Sequence, residues 1–297
     1  MGFFGKLFEK KVCDICGGEI GLLGNRKLED GNMCKTCANK LSYWFDERRH
    51  STVEQINQQL AYREANKAEV AAFNTTRVFG EDTRIMLDED AGKFMVVRTK
   101  KTSEIAEENP DVIAFGDVTG CVLDIDEDRR ELTREGSNGE RVSYNPPRYE
   151  YYYDFYIKIS VRNPYFDEIR FKLNDRRVHI DYNRTTMARP MNRPMQMQTG
   201  GGVAGALGQF VGAMANAAMA GAAGAGGWNP EMDVEYAQYK QMGEEIAAVL
   251  LQSRQDARQA AADAAAPKAA VTCPYCGATT TPNASGCCEF CGGAIGG

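Results

Sequence analysis

Four Cys-x-x-Cys pairs, two near each end of the chain, constrain its fold more than any other feature of the sequence. The two pairs near the start are separated by 17 residues and the two near the end by 11. Paired motifs of this kind are typical of zinc held by four thiolates. We therefore predict a zinc ribbon at each end of the chain, with two zinc ions as its cofactors. The predicted metal ligands are Cys13, Cys16, Cys34, Cys37, Cys273, Cys276, Cys288 and Cys291.

A tetrahedral shell of four thiolates leaves no position for water or substrate, so the motifs predict structural rather than catalytic zinc. The alternative, unrelated thiol pairs or disulfides, is disfavoured by the repeated spacing. Cys287 competes with Cys288 for one ligand position, and we prefer Cys288 because it gives the two-residue spacer found in the other pairs. Cys121 lies in an apolar run and is expected to be a small buried hydrophobe.

The charge and cysteine content of the chain indicate which partners and which cellular compartment to expect. A formal net charge of −6 disfavours a general nucleic-acid binder, which would carry a basic surface. The start of the chain lacks the pattern of a secretory signal peptide, and free thiolates for two zinc sites fit a reducing compartment. We expect a cytoplasmic protein, with association at a membrane surface as an added possibility.

Between the ribbons, the hydrophobic period divides the chain into a helix, a β region and a second helix. Ser51 and Glu54 form a capping-box pattern at the start of the first helix. In the β region, DEDAG predicts a hairpin turn, and YEYYYDFYIKISV alternates as a half-buried strand does. Asn229 followed by Pro230 predicts the start of the second helix, whose apolar seam includes Tyr236 and Leu250.

We predict an α+β, multi-domain chain, in which the two small ribbons flank a mainly antiparallel domain of six or seven strands, closed by a C-terminal helix. The predicted segments are an amphipathic start at 1–11, a ribbon at 12–45, a connecting helix at 50–73, a β domain at 77–183, a Gly/Ala/Met-rich insertion at 184–229, a helix at 230–260, an Ala-rich linker at 261–270 and a ribbon at 271–297.

Two of these segments raise the question of a membrane. The first has apolar side chains on one helical face, which favour packing on the adjacent ribbon over contact with a membrane surface. The insertion carries no charge between Arg193 and Glu231, yet it contains too few strongly apolar residues for a stable span. A flexible insertion is our first interpretation, self-association or membrane contact through its small residues the second, and a stable span the third.

The segments CDICG, RKLEDGNMCKTC and STVEQINQQLAYREANKAEVAAFN resemble an uncharacterised bacterial family that begins with a zinc-ribbon domain of unknown function. The resemblance covers about residues 8 to 180 and implies zinc binding without an activity. The β region is similar in strand order and closing helix to pleckstrin-homology-like domains of bacterial proteins. The end of the chain resembles the tails of bacterial zinc-ribbon adaptor proteins.

These features favour a non-enzymatic zinc-binding scaffold or adaptor that contacts a protein partner or a membrane surface through its ribbons and Gly/Ala segment. Nucleic-acid binding through the ribbons is the alternative. An enzyme is disfavoured, because the two histidines, His50 and His179, occur without a catalytic set. The acidic runs DEDAG and DIDEDRR lack the ligand spacing of a calcium loop and are interpreted as solvated hairpin turns.

Overall fold

A computed structural model describes residues 11–181, 229–265, 270–283 and 285–295 of the chain. The chain divides into two compact units, Met1–Arg254 and Gln255–Gly297. The predicted amphipathic start and nearly all of the Gly/Ala/Met-rich insertion lie outside the described residues. None of the described helices is both long and apolar enough to cross a membrane.

The first described residues form two short hairpins and one helical turn. Strand β1 (Lys11–Val12) pairs with β2 (Glu19–Ile20), β3 (Arg26–Lys27) pairs with β4 (Asn32–Met33), and helix α1 covers Lys35–Ala38. These elements form the first ribbon. A 20-residue helix, α2 (Val53–Ala72), follows it.

The capping box of α2 lies one residue later than the sequence predicted. Thr52, not Ser51, accepts a hydrogen bond from the backbone of Gln55, and the Gln55 side chain accepts one from the Thr52 backbone. Two overlapping patterns of this type are present in STVEQ. The Ser51 hydroxyl donates instead to the carbonyl of Glu47, and Ser51 therefore does not cap the helix.

The first ribbon and α2 share one hydrophobic core. Leu28, Met33 and Leu41 of the ribbon are buried together with Ile56 of α2. A ribbon of this size encloses too little apolar surface to be stable alone. Helix α2 therefore completes the ribbon instead of only linking it to the next domain.

The next four strands form an antiparallel sheet in sequential order: β5 (Arg77–Phe79), β6 (Arg84–Asp88), β7 (Lys93–Val97) and β8 (Val112–Ala114). The predicted hairpin at DEDAG is confirmed, since Asp88 pairs with Lys93 across the turn. A short helix, α3 (Ile105–Glu108), precedes β8.

A second antiparallel sheet is built around one long strand, β10 (Arg141–Val161). Strand β9 (Val118–Glu135) pairs along one edge of β10, and β11 (Glu168–Lys172) and β12 (Val178–Asp181) share the other. The region thus has eight strands, where the sequence predicted six or seven. As the alternation predicted, β10 buries Tyr153, Phe155, Ile157 and Ile159 on its inner face.

The outer face of this sheet carries paired charges. The interpretation of DIDEDRR as a hairpin turn is wrong, because these residues lie inside β9. Two cations offset its acidic side chains: Arg170 of β11 lies 3.5 Å from Asp124, and Arg177, just before β12, lies 2.9 Å from Asp128. Arg177 also contacts Asp154, which is buried on β10.

The second long helix, α4 (Val234–Ala265), starts later and ends later than predicted. Asn229 caps only a short 3-10 turn, and the Asp233 carboxylate accepts hydrogen bonds from the first backbone N–H groups of α4. Tyr236 and Tyr239 pack against Phe155 on the second sheet. The last residues of α4 occupy the first half of the predicted linker, because alanine favours the helix.

In the second unit, strands β13 (Val271–Thr272) and β14 (Thr279–Thr280) form one small hairpin. The remaining described residues to Ile295 are turns, with a single bridge between Cys287 and Ala294. The described residues between 271 and 295 form the second ribbon, and the unit also contains the end of α4.

Candidate metal centres

The first Cys-x-x-Cys pair lies in a tight turn between β1 and β2. The backbone N–H of Cys13 donates to the carbonyl of Gly18, and the N–H of Gly17 donates to the carbonyl of Cys13. Gly17 has a φ of 70°, a left-handed conformation that glycine adopts without a Cβ clash. The turn thus directs both sulfurs of the pair to one side.

The second pair is positioned by a helix start instead of a glycine turn. Cys34 is the N-cap of α1, and its sulfur accepts a hydrogen bond from the backbone N–H of Cys37 at 3.4 Å. The N–H of Cys34 in turn donates to the sulfur of Cys13 at 3.2 Å. Backbone N–H groups from both pairs therefore point at sulfur, which stabilises thiolates.

The four sulfurs of the first ribbon lie within 4.8 Å of one another and could hold a metal ion. Cys13 and Cys37 are buried, Cys34 is half-buried and Cys16 is exposed. Burial by itself would raise the pKa of Cys13, but the backbone N–H groups of Cys34, Cys16 and Ile15 donate to its sulfur and lower its pKa to about 6.

The second ribbon repeats the glycine turn twice. Gly277 and Gly292, with φ values of 73° and 71°, donate to the carbonyls of Cys273 and Cys288 as Gly17 does to Cys13. The four sulfurs of Cys273, Cys276, Cys288 and Cys291 again lie within 4.8 Å of one another. Burial opposes ionisation of Cys273, yet the N–H groups of Tyr275 and Cys276 lower its pKa to about 7.

The two remaining cysteines lie apart from these groups. The sulfur group of the second ribbon includes Cys288, while the Cys287 sulfur faces the carbonyl of Ser285 at 3.6 Å. Cys121 is buried, as its apolar surroundings predicted, and burial raises its pKa to about 12. A neutral, buried thiol of this kind is inert at physiological pH.

The spacing of the sulfurs fits a zinc ion. Zinc binds thiolate sulfur at about 2.3 Å, and a tetrahedron with that radius has edges of about 3.8 Å. The Cys16 and Cys34 sulfurs are 3.8 Å apart. In the second ribbon, the Cys276 and Cys288 sulfurs are 3.7 Å apart, and those of Cys273 and Cys291 are 3.5 Å apart. Four soft thiolates at these distances are a donor set that suits zinc.

The two centres differ in their surroundings. In the first, Cys13 and Cys37 belong to the core that the ribbon shares with α2 and Cys34 packs against it, while Cys16 is exposed. In the second, the aromatic residue inside each Cys-x-x-Cys turn points into solvent, with Tyr275 71% exposed and Phe290 72% exposed. Apolar surface around a thiolate site limits the access of water and chelators. Cys273 and Cys288 of the second centre are also buried, but Cys276 and Cys291 are both exposed, so the second centre has less of that protection.

A buried polar network, which sequence reasoning missed, joins the first ribbon to α2 and to the loop before β8. The Asp111 carboxylate accepts hydrogen bonds from Arg63 of α2 and from the hydroxyl of Ser42 of the ribbon, both at 2.7 Å. Asn66 of α2 donates to the Pro110 carbonyl at 2.7 Å. The one available signal was the placement of Arg63 and Asn66 on the same helical face as Ile56.

Comparisons with known proteins support only the first ribbon. Residues 11–59 match a family model described as a domain of unknown function (DUF4428). The match includes all four cysteines of the first centre and ends inside α2. A comparison with curated proteins found no match, and a comparison with solved structures found none either. The wider resemblance, to about residue 180, therefore stays a prediction.

Proposed function

We propose that the protein is a non-enzymatic, zinc-binding scaffold with one structural zinc ion in each ribbon. The observation that carries this proposal is the grouping of four cysteine sulfurs in each ribbon, at separations of 3.5–3.8 Å where they are in contact. Zinc with four protein ligands has no open position, so these centres would stabilise the fold rather than act on a substrate.

We further propose that the scaffold binds a protein partner. Its support is exposed apolar surface on both ribbons, at Leu22 and Leu23 in the first and at Tyr275 and Phe290 in the second. Exposed aromatic and aliphatic side chains of this size are typical of contact surfaces. Contact with a membrane surface and self-association remain proposals that concern the Gly/Ala/Met-rich insertion.

We also infer that the middle of the chain is related to pleckstrin-homology-like domains. The support is architectural: two antiparallel sheets, with α4 packed on the second through Tyr236 and Tyr239. Such a relationship concerns the fold and brings no ligand with it.

Metal analysis of the purified full-length chain tests the central proposal. We expect two zinc ions per chain, and one in each of the variants Cys16→Ser and Cys276→Ser, which each remove one exposed sulfur. Cys287→Ser is the matched control and should retain two. The proposal would be contradicted if a single-site variant lost both zinc ions. It would also be contradicted if the unmodified chain, with its thiols reduced, contained no zinc.

A further inference from the structure

A cavity of about 400 Å³ opens where the first ribbon, α2 and the first sheet meet. It lies beside the first metal centre but contains none of its four cysteines. The polar side chains that matter for its chemistry are Tyr43, Trp44, Arg63, Arg98, Glu108 and Asp111.

Both carboxylates in this cavity are already satisfied by protein donors. Asp111 accepts from Arg63 and Ser42, one donor on each oxygen. Glu108 accepts from the backbone N–H groups of Arg98 and Thr99 and lies 3.3 Å from the Arg98 Nε. The negative charges of the cavity are thus compensated, and neither of these side chains is short of donors.

The groups that lack a protein partner are donors, on the 41% exposed side chain of Arg98 and on the half-buried Trp44. The Nη groups of Arg98 have no hydrogen-bond partner in the part of the chain that the structure describes, and neither does the indole N–H of Trp44. The guanidinium carbon of Arg98 lies 3.6 Å from the centre of the Tyr43 ring, a cation–π contact that restrains the side chain. An arginine held in this way presents a planar edge of two N–H groups, the geometry that binds a carboxylate through two parallel hydrogen bonds.

We propose that this cavity binds a carboxylate carried by a short peptide segment, through Arg98 and the indole N–H of Trp44. The buried pair of Arg63 and Asp111 forms its fixed polar wall. The inference deepens the proposed scaffold function by naming the chemistry of the ligand, and it depends on a folded first ribbon. A cavity of this volume admits about two or three residues of a peptide.

The chain contains two tryptophans, Trp44 and Trp228, which provides a direct readout. In a Trp228→Phe variant labelled with ¹⁵N, the single indole N–H resonance reports on the cavity. The probes are the peptides acetyl-Ala-Ala-Ala with a free acid end, the same peptide with an amide end, and acetyl-Ala-Glu-Ala-amide. The second peptide lacks a carboxylate, and the third places it on a side chain.

We expect the Trp44 indole resonance to shift saturably with at least one carboxylate peptide and not with the amide. The peptide that shifts it identifies the source, a chain end or an acidic side chain. Arg98→Gln should weaken binding about tenfold or more, as the loss of charge-assisted hydrogen bonds predicts. Lys100→Gln, which removes an adjacent exposed cation paired with Asp82, should leave binding unchanged.

Equal shifts with the acid and amide peptides would overturn the proposal, as would the absence of a shift at millimolar concentration. Both comparisons use a chain with intact Arg98, so a folding defect in Arg98→Gln cannot obscure them. Zinc is measured in the same samples. A chain that holds two zinc ions and binds no carboxylate would contradict this inference alone, whereas a chain without zinc would contradict the proposed function.

Discussion

The guanidinium of Arg63 lies 2.7 Å from the carboxylate of Asp111, 48 residues away in sequence, and both side chains are almost wholly buried. Burial raises the pKa of Asp111, although Arg63 and Ser42 act in the opposite direction. Such a pair costs desolvation energy, so we expect its main role to be to specify how α2 meets the loop before β8.

Removing one member of this pair should therefore destabilise the fold far more than replacing both members with apolar residues. Arg63→Met leaves a buried, unpaired carboxylate and is expected to lower the free energy of unfolding by about 3–5 kcal/mol. The double variant Arg63→Met, Asp111→Leu should recover a large part of that loss. Urea unfolding followed by Trp44 fluorescence, in a Trp228→Phe background, measures both.

Lys67→Met is the matched control, because Lys67 pairs with Glu64 on the exposed side of the same helix. It should leave the unfolding midpoint unchanged. A double variant as unstable as Arg63→Met alone would show that the pair is essential for stability and does more than specify the packing.

The two metal centres should differ in what their loss does to the rest of the chain. Cys16→Ser should increase hydrogen exchange at the backbone of α2, because the first ribbon and α2 share a core that includes Ile56. Cys276→Ser should leave α2 protected. Hydrogen exchange at the backbone of α2, read by mass spectrometry, distinguishes them, and equal protection in both variants would contradict a shared core.

Asp154 should make the fold sensitive to acid. Burial by itself would raise the pKa of Asp154, but contact with Lys172 and Arg177 lowers it below its ordinary value of 3.8. As the pH falls, the unfolded chain takes up this proton first, so the stabilisation is present above about pH 4 and is lost as the pH falls through the lower, folded pKa.

The variant Asp154→Asn should be less stable than the unmodified chain at pH 7, by about 1–3 kcal/mol. The difference in stability should shrink as the pH falls below about 4. Because both chains keep the same cysteines, acid-induced release of metal affects them equally and cancels in the difference. A gap independent of pH would exclude this role for the Asp154 charge.

Gly80 should tolerate substitution less well than Gly92, although both have positive φ values, of 90° and 67°. A Cβ added at Gly80 would lie 2.3 Å from the Thr83 carbonyl oxygen, whereas one at Gly92 meets no atom within 4 Å. We expect Gly92→Ala to cost about 1–2 kcal/mol from its left-handed backbone alone, and Gly80→Ala to cost more. Thermal unfolding of the two variants tests this order.

Local patterns in the sequence predicted the local features well. The spacing of the cysteines identified the sulfurs that the structure groups, and alternation along β10 identified its buried face. The alternation along β10 depends only on residues that are close in sequence, and the cysteine grouping depends on a short motif that occurs twice in each ribbon.

Features that depend on distant residues were not predicted. DIDEDRR suggested a solvated turn because the cations that compensate it, Arg170 on β11 and Arg177 just before β12, are distant in sequence. The cap of α2 was misplaced by one residue because the Ser51 hydroxyl had a competing acceptor, Glu47. In both cases, local propensity was consistent with two structures and tertiary contacts decided between them.

The shared core of the first ribbon also bears on how such a domain passes from one protein to another. A ribbon that borrows Ile56 from the following helix cannot be transferred by recombination without the start of that helix. The stretch that matches the family model, residues 11–59, includes the cysteines, the cap at Thr52 and Ile56. The matched stretch thus contains the helix residue that is buried with the ribbon, whereas Arg63 and Asn66, which hold the rest of α2 against the loop before β8, lie beyond it.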